Sequence, residues 1–101
     1  MFDKLIQAQK KAEEIKNSLD KISVRSEVEG GKIKVIATAN KAIISIEIDP
    51  EFLKATGREE LEELLVVAVN KVLNQADQIS QTEMQAATRD MMGDLGDIFG
   101  K

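Results

Sequence analysis

The 101-residue sequence contains no cysteine and no histidine, and it has a single proline. Disulfides, thiolate nucleophiles, imidazole bases and the usual zinc ligands are therefore excluded. Tryptophan and tyrosine are also absent, and only three phenylalanines are present. This scarcity argues against a stacking platform for single-stranded nucleic acid, because such platforms use aromatic side chains. We expect no cofactor and no metal.

What remains is the composition of a folded domain, with 43% hydrophobic and 32% charged residues. A chain of this length predicts one domain over residues 1–101, for which oligomerisation is a natural way to add buried surface. Charge appears at Asp3 and Lys4 before any apolar run, so we expect no signal peptide. No stretch approaches the length of a membrane span, and the lack of cysteine agrees with the cytoplasm.

The net charge of −4 is unevenly distributed along the chain. Residues 1–41 carry nine Lys/Arg and six Asp/Glu, whereas residues 42–101 carry five and twelve. The first part is thus mildly basic and the second clearly acidic. Such polarity allows local phosphate binding by an acidic protein, although with modest affinity.

The first segment predicts a helix from Phe2 to about Asp20. Its apolar residues recur in steps of three and four, a seam suited to packing along another helix. The seam consists of Leu5, Ala8, Ala12, Ile15, Leu19 and Ile22. The candidate phosphate contacts are the lysines off this seam: Lys4, Lys10, Lys11 and Lys16. Their acidic neighbours also fit an ordinary solvated surface.

Three short alternating segments predict an antiparallel meander with one apolar face. The residues expected to point inward are Ile22, Val24, Ser26, Val28, Ile33, Val35, Ala37, Ala39, Ala42, Ile44, Ile46 and Ile48. Gly30-Gly31 supplies the positive φ values of a tight hairpin turn, and Asn40 tolerates the left-handed conformation at the second turn. A second basic group lies around these strands: Lys32, Lys34 and Lys41.

Asp49-Pro50 ends the third strand, because proline offers no amide to the ladder. Phe52 and Leu53 then predict a short hydrophobic lid. The four residues Thr56 to Glu59 read as a capping box, which opens a last helix from Arg58 to about Met91. Residues 92–101 contain three glycines and are expected to form a flexible tail.

The two halves of the last helix differ. Its first half has two apolar stripes and therefore needs two partners, one being the sheet and the other a second copy of the chain. The stripes are Leu61, Leu65, Ala68 and Val72, and Val66, Val69 and Leu73. Its polar second half keeps only a thin seam, suited to the first helix. That seam consists of Ala76, Ile79, Met84 and Ala87.

These patterns predict an α+β chain of the order α-β-β-β-α, forming a dimeric body from which paired helices project. Asp49 is the one isolated carboxylate that an enzyme hypothesis would use. No acid, base or nucleophile is placed with it, so a turn residue is the better interpretation, and we expect no enzyme. The acidic residues at the start of the last helix complement the helix dipole rather than indicating a metal site.

The order of these features resembles the YbaB/EbfC family over nearly the whole chain. The segments that carry the resemblance are Gln7-Ala8-Gln9, Glu29-Gly30-Gly31, Ile33 with Val35, Ile46-Glu47-Ile48-Asp49-Pro50 with Leu53, Glu60-Leu61-Glu62-Glu63-Leu64, and Ala68-Val69-Asn70. The resemblance implies a tweezer-like homodimer whose projecting helices bind duplex DNA in the nucleoid of the bacterial cytoplasm.

The DNA contacts expected on the projecting helices are Lys4, Lys10, Lys11, Lys16 and Arg89. They are chosen for their predicted position, since the family offers no shared contact motif to carry over. The alternative hypothesis is a protein–protein adaptor that docks a replication or repair partner. It would use the polar helices and the apolar pair Ile98 and Phe99 of the tail.

Overall fold

The computed structural model describes the backbone of residues 2–99 and the side chains of residues 3–89. The elements, in chain order, are α1 (Phe2–Asp20), β1 (Ser23–Val28), β2 (Ile33–Thr38), β3 (Ile43–Ile48), α2 (Pro50–Ala55) and α3 (Arg58–Phe99). The strands form one antiparallel sheet in the order β1-β2-β3. The predicted α+β class and meander are confirmed. The segment expected to form a lid is the short helix α2, in which Phe52 packs against the core whereas Leu53 is exposed.

The inner face of β1 and β2 has the alternation that the sequence predicts. Val24 and Ser26 are buried on β1, as is every second residue from 33 to 39. Helix α3 packs mainly on these two strands and buries Ala68 and Val72 against them. The Ser26 hydroxyl lies inside this core and donates a hydrogen bond of 2.7 Å to the carbonyl oxygen of Ala68. This bond satisfies the buried hydroxyl and ties the sheet to the helix.

The third strand departs from its predicted pattern. Ala42 and Ile44 are exposed, and the strand register places Ile43 rather than Ile44 opposite the buried Ala37. The prediction that Ala42 and Ile44 point inward is therefore wrong. The cause is an irregularity in the pairing of β2 with β3, where the register shifts between Ile36 and Ala37. Ala37 pairs with Ile43, which leaves Ile44 as the extra residue of a bulge. One extra residue in a strand reverses which of the preceding side chains point inward and which point outward.

Both hairpin turns contain left-handed backbone. Gly30 and Gly31 have φ values of 62° and 89°, as predicted for the first turn. In the second turn the left-handed residue is Lys41, with φ of 69°, rather than Asn40. Glu29 in the first turn shares this conformation with a φ of 54°, so each turn contains one left-handed residue that is not glycine.

The predicted capping box at the start of α3 is wrong. In such a box the threonine hydroxyl accepts from a backbone amide of the helix. Here Thr56 caps the end of α2, and its hydroxyl donates to the Glu60 carboxylate at 3.2 Å. The first turn of α3 is instead closed by the Leu61 amide, which donates to the Gly57 carbonyl.

Helix α3 is longer than the sequence predicted. It was expected to end at about Met91, yet it continues to Phe99 and comprises 42 residues. The only proline of the chain precedes it, and isolated glycines weaken a helix without ending it. Residues 92–99 of the predicted flexible tail are thus helical, whereas Gly100, Lys101 and the side chains of Ile98 and Phe99 lie outside the described residues.

Candidate nucleic-acid interface

Two helix segments extend together beyond the sheet. Lys11 and Ile15 of α1 lie beside Glu83 and Ala87 of α3, whereas the end of α1 lies in the core near Ala76, so the helices run antiparallel. We call α1 and α3 from Ala76 onward the arm, and the sheet, α2 and residues 58–75 the body. The molecule measures 67 × 22 × 17 Å, and its length follows the long helix α3.

The apolar seam of the arm is closed from Ala76 to Ala87 of α3 but not at every position that was assigned to it. Leu19, Ala76 and Ala87 are buried, as expected for packing between α1 and α3. Leu5 and Met84 were assigned to the same seam but are 62% and 56% exposed, so this part of the prediction is wrong. Leu19 is thus the one large side chain among the fully buried residues of the described arm, and the contact becomes thinner beyond it.

Three of the four predicted lysines of α1 are exposed, and the four do not form one stripe. Lys4, Lys10 and Lys16 are exposed, whereas Lys11 is half-buried. At 100° per residue, Lys10 lies on the side of α1 opposite to Leu19. Lys4 and Lys11 lie on one flank of the seam, and Lys16 lies on the other. The four lysines thus point in different directions around α1, and four acidic residues of the same helix offset their charge: Asp3, Glu13, Glu14 and Asp20. They offer separate candidate contacts rather than one aligned row.

Lys11 differs from the other three lysines in its surroundings. It lines a cleft of about 200 Å³ between the two helices of the arm. Glu14 and Glu83 line the same cleft. Neighbouring carboxylates offset its positive potential, which makes Lys11 the weakest of the four candidates for phosphate contact.

Arg89 is exposed on the α3 side of the arm. It lines a shallow surface pocket together with Met84, Gln85 and Thr88, all of which belong to the same helix. The structure therefore places Arg89 on the arm, as predicted, but this pocket does not join it to the lysines of α1.

The second basic group lies among carboxylates on the body. Lys32 forms an ion pair of 3.8 Å with Asp49. Lys34 lies between Glu27 and Glu47 in the strand register. Opposite charges at directly facing positions of a sheet pair with each other. These two lysines are consequently poor candidates for phosphate contact.

Sequence reasoning missed the role of the turn between β2 and β3. The side-chain amide of Asn40 donates to the Lys16 carbonyl at 2.8 Å and to the Asp20 carboxylate at 2.6 Å. The ammonium group of Lys41 lies 2.7 Å from the Asp77 carboxylate. Two successive residues thus join the turn to both helices of the arm. An Asn-Lys pair is an ordinary turn sequence, so it carried no signal for these long-range contacts.

An apolar surface lies along β3, at the edge of the sheet. Ile46 is opposite the buried Val35 on the inner face, yet it is 48% exposed because α3 packs mainly on the other two strands. Ile43 and Ile44 are also exposed, and so is Val66 of α3. We call these four isoleucine and valine residues the edge patch. An edge strand with exposed apolar side chains is a common site of pairing with another chain.

Asp49 has a structural role that accounts for its position. Its carboxylate accepts a hydrogen bond of 3.0 Å from the Phe52 amide and caps helix α2. Among the residues that the structure describes, no group of three or more acidic residues could hold a metal ion. In the same part of the chain, none of the helices is long and apolar enough to span a bilayer.

A structural comparison agrees with this architecture. The fold is similar to the crystal structure of an uncharacterized protein from Helicobacter pylori, with a TM-score of 0.65. The similarity covers 77% of this chain and 90% of that chain at 17% sequence identity, so it supports the fold alone.

Sequence comparison identifies relatives and a family. The chain is 36% identical over 89 residues to a nucleoid-associated protein of Flavobacterium johnsoniae, covering 88% of this chain and 82% of the relative. It is 34% identical over 88 residues to a nucleoid-associated protein of Afipia carboxidovorans, covering 87% and 84%. The sequence profile of the YbaB/EbfC DNA-binding family matches residues 1–91. The chain therefore belongs to the YbaB/EbfC DNA-binding family.

Proposed function

We propose that the protein binds duplex DNA as a homodimer, mainly through the phosphate backbone, and helps to organise the bacterial nucleoid in the cytoplasm. The observation that carries this proposal is the exposed, lysine-bearing helix α1 on an arm that extends from the body of a YbaB/EbfC family member. The names of the relatives support the nucleoid as its location.

The proposed contacts are Lys4, Lys10 and Lys16 of α1, with Arg89 of α3 and with Lys11 as the weakest member. Lysines distributed around a helix neutralise phosphates without reading base edges, because direct readout needs bidentate side chains aimed into a groove. We therefore expect little sequence preference. The overall charge of −4 further predicts modest affinity that depends strongly on salt.

The homodimer is supported by the edge patch. Val69 and Leu73 of α3 are half-buried, and they lie on the flank opposite to Lys71, whose ammonium group donates to the Glu27 carbonyl of β1. That flank of α3 therefore faces β3. The second apolar stripe of α3, which contains Val66, thus lies beside the exposed isoleucines of β3 and forms one surface with them. A second copy of the chain would cover it in a self-complementary interface.

The test is a titration of duplex DNA at 50 mM and 200 mM salt with wild type and Lys4/Lys10/Lys16→Ala. A dimer that uses all six of these lysines should lose about a thousandfold in affinity between the two salt concentrations. The variant should bind weakly and with a much shallower salt dependence.

The matched control is Lys32/Lys34/Lys54→Ala, which removes the same charge from the body. It should retain most of the affinity and nearly the full salt dependence, because its lysines lie away from the arm. Equal losses in both variants would mean that net charge, rather than the arm, drives binding. Wild-type binding that ignores salt would contradict backbone recognition.

The adaptor hypothesis retains one supporting observation. Leu5, Ile6 and Met84 are large apolar side chains exposed on the arm, at 62%, 48% and 56%. Absence of DNA binding at 50 mM salt would favour docking of a replication or repair protein instead. A Leu5/Ile6/Met84→Ser variant should then lose a partner whose capture survives nuclease treatment.

A further inference from the structure

We propose that the turn Asn40-Lys41 is a positioning element that fixes the direction of the arm relative to the body. Its effect on DNA binding rests on the proposed function, whereas its effect on the arm is measurable without DNA. Neither residue needs to touch the nucleic acid.

Asn40 fastens the end of α1. Its amide nitrogen carries two hydrogens, and its two acceptors are the Lys16 carbonyl at 2.8 Å and the Asp20 carboxylate at 2.6 Å. Both donors are thus used near the C-terminal end of one helix. Helix α1 has no basic residue in its last turn, so the amide of Asn40 supplies the positive dipole that helix ends favour.

Lys41 fastens α3 just beyond the sheet. Its ammonium group lies 2.7 Å from Asp77 Oδ1, while Asp77 Oδ2 accepts from Gln81 at 2.9 Å. The carboxylate is therefore oriented by a second bond from its own helix. The backbone of Lys41 is left-handed, which is unfavourable for a residue with a Cβ and is compensated by contacts on either side of the turn.

The apolar seam is too thin to fix the direction of the arm by itself. Within the described part of the arm, its fully buried members are Leu19, Ala76 and Ala87, and only Leu19 is large. A cleft of about 200 Å³ lies beyond Leu19 between the helices. Alanine contacts allow sliding and rotation that interlocking larger side chains would resist. The turn supplies directional bonds at the point where both helices leave the sheet.

The first experiment measures the arm by double electron–electron resonance. The chain has no native cysteine, so Gln9→Cys/Glu47→Cys reports α1 against the sheet and Gln85→Cys/Glu47→Cys reports α3. Mixing with excess unlabelled chain restricts the signal to distances within one protomer. Asn40→Ala should broaden chiefly the first distance distribution, and Lys41→Gln chiefly the second.

Two further variants separate positioning from charge and from folding. Lys32→Gln removes the same charge from an ion pair of similar exposure, at the other end of β2, and should leave both distributions narrow. The exchange Lys41→Asp/Asp77→Lys restores the ion pair and should restore the narrow distribution, since aspartate tolerates the left-handed conformation. Unchanged distributions in both Asn40→Ala and Lys41→Gln, with the variants folded, would overturn the proposal.

The second experiment measures DNA binding. If the arm has its correct direction in only about a fifth of the Lys41→Gln molecules, this variant should bind DNA about fivefold more weakly than wild type. The dependence on salt should stay at its wild-type slope, because no phosphate contact is lost. A slope reduced by about 0.9 for each Lys41 would identify a direct contact and overturn the positioning role. If wild type does not bind, the proposed function fails, and the label distances alone uphold or overturn the role of the turn.

Discussion

Helix α3 runs through both the body and the arm, but it packs against different partners in the two regions. In the body, α3 lies on a sheet whose Ile33 and Val35 are completely buried, and its own Val72 is buried with them. In the arm, α3 lies on one other helix, and the buried residues of its described part include only small side chains such as Ala76 and Ala87. The body therefore supplies most of the hydrophobic free energy, while the arm supplies solvent-exposed surface.

The acidic residues are divided evenly between the body and the arm. The acidic residues at the start of α3, such as Glu59 and Glu60, belong to the body, where they complement the helix dipole. The exposed lysines of α1 belong to the arm. Nine of the eighteen Asp/Glu nevertheless belong to the arm, including Asp3, Glu13 and Glu14 close to these lysines. Phosphate contact therefore depends on individual lysine side chains, which agrees with a modest affinity.

The substitution with the largest expected effect is at the edge of the body and weakens the dimer. Ile46→Lys places a charge in the proposed dimer interface, and both copies carry it because the interface is self-complementary. Burial of one isoleucine contributes about 1.5–3 kcal/mol, so two lost burials predict a dimer weakened by at least a hundredfold. Sedimentation equilibrium measures this loss.

Met84→Lys is the matched change on the arm. Met84 is 56% exposed and Ile46 is 48% exposed, so the two substitutions introduce the same charge at comparable depth. Met84→Lys should leave the dimer intact. A dimer that survives Ile46→Lys as well would place the interface elsewhere.

The second largest expected effect is a loss of folding stability when the core of the body is changed. Ile33→Ala should lower the free energy of unfolding by about 2–5 kcal/mol, because it removes a completely buried side chain and leaves a cavity. Ile6→Ala on the arm removes the same atoms from a side chain that is 48% exposed. That change should stay within about 0.5 kcal/mol. Urea denaturation at one fixed protomer concentration compares them, and equal losses would contradict the division between body and arm.

The sequence pattern predicted the body well for features that depend on a single strand. The alternation of Val24 with Ser26, and of the residues from Ile33 to Ala39, follows from a strand with one buried face. The burial pattern of β3 depends instead on how it pairs with its neighbouring strand. The bulge at Ile44 depends on how β3 meets β2, and no residue of β3 signals it.

The arm was predicted in outline but not in detail. The seam of α1 and its exposed lysines follow from helical periodicity, and Leu19 is buried as expected. Periodicity does not reveal how far along its length a seam finds a partner, which is why Leu5 was misplaced. Met84 was misplaced for another reason, since it lies roughly 60° to one side of the line through the buried Ala76 and Ala87. The contacts of Asn40 and Lys41 join residues 20 to 36 positions apart, and local sequence carries no information about them.

The smallest effect compares two hydroxyl groups that make the same kind of bond. Ser26 in the body and Thr82 in the arm each donate to a carbonyl oxygen of α3, at 2.7 Å and 2.9 Å. Ser26→Ala should cost about 1 kcal/mol, because the bond is buried and bridges sheet and helix. Thr82→Ala should be neutral or slightly stabilising, since its bond lies within one exposed helix and alanine is the better helix former. Thermal unfolding of both variants at one concentration measures the contrast, and a larger loss for Thr82→Ala would mean that the arm contributes more to stability than its exposed surface implies.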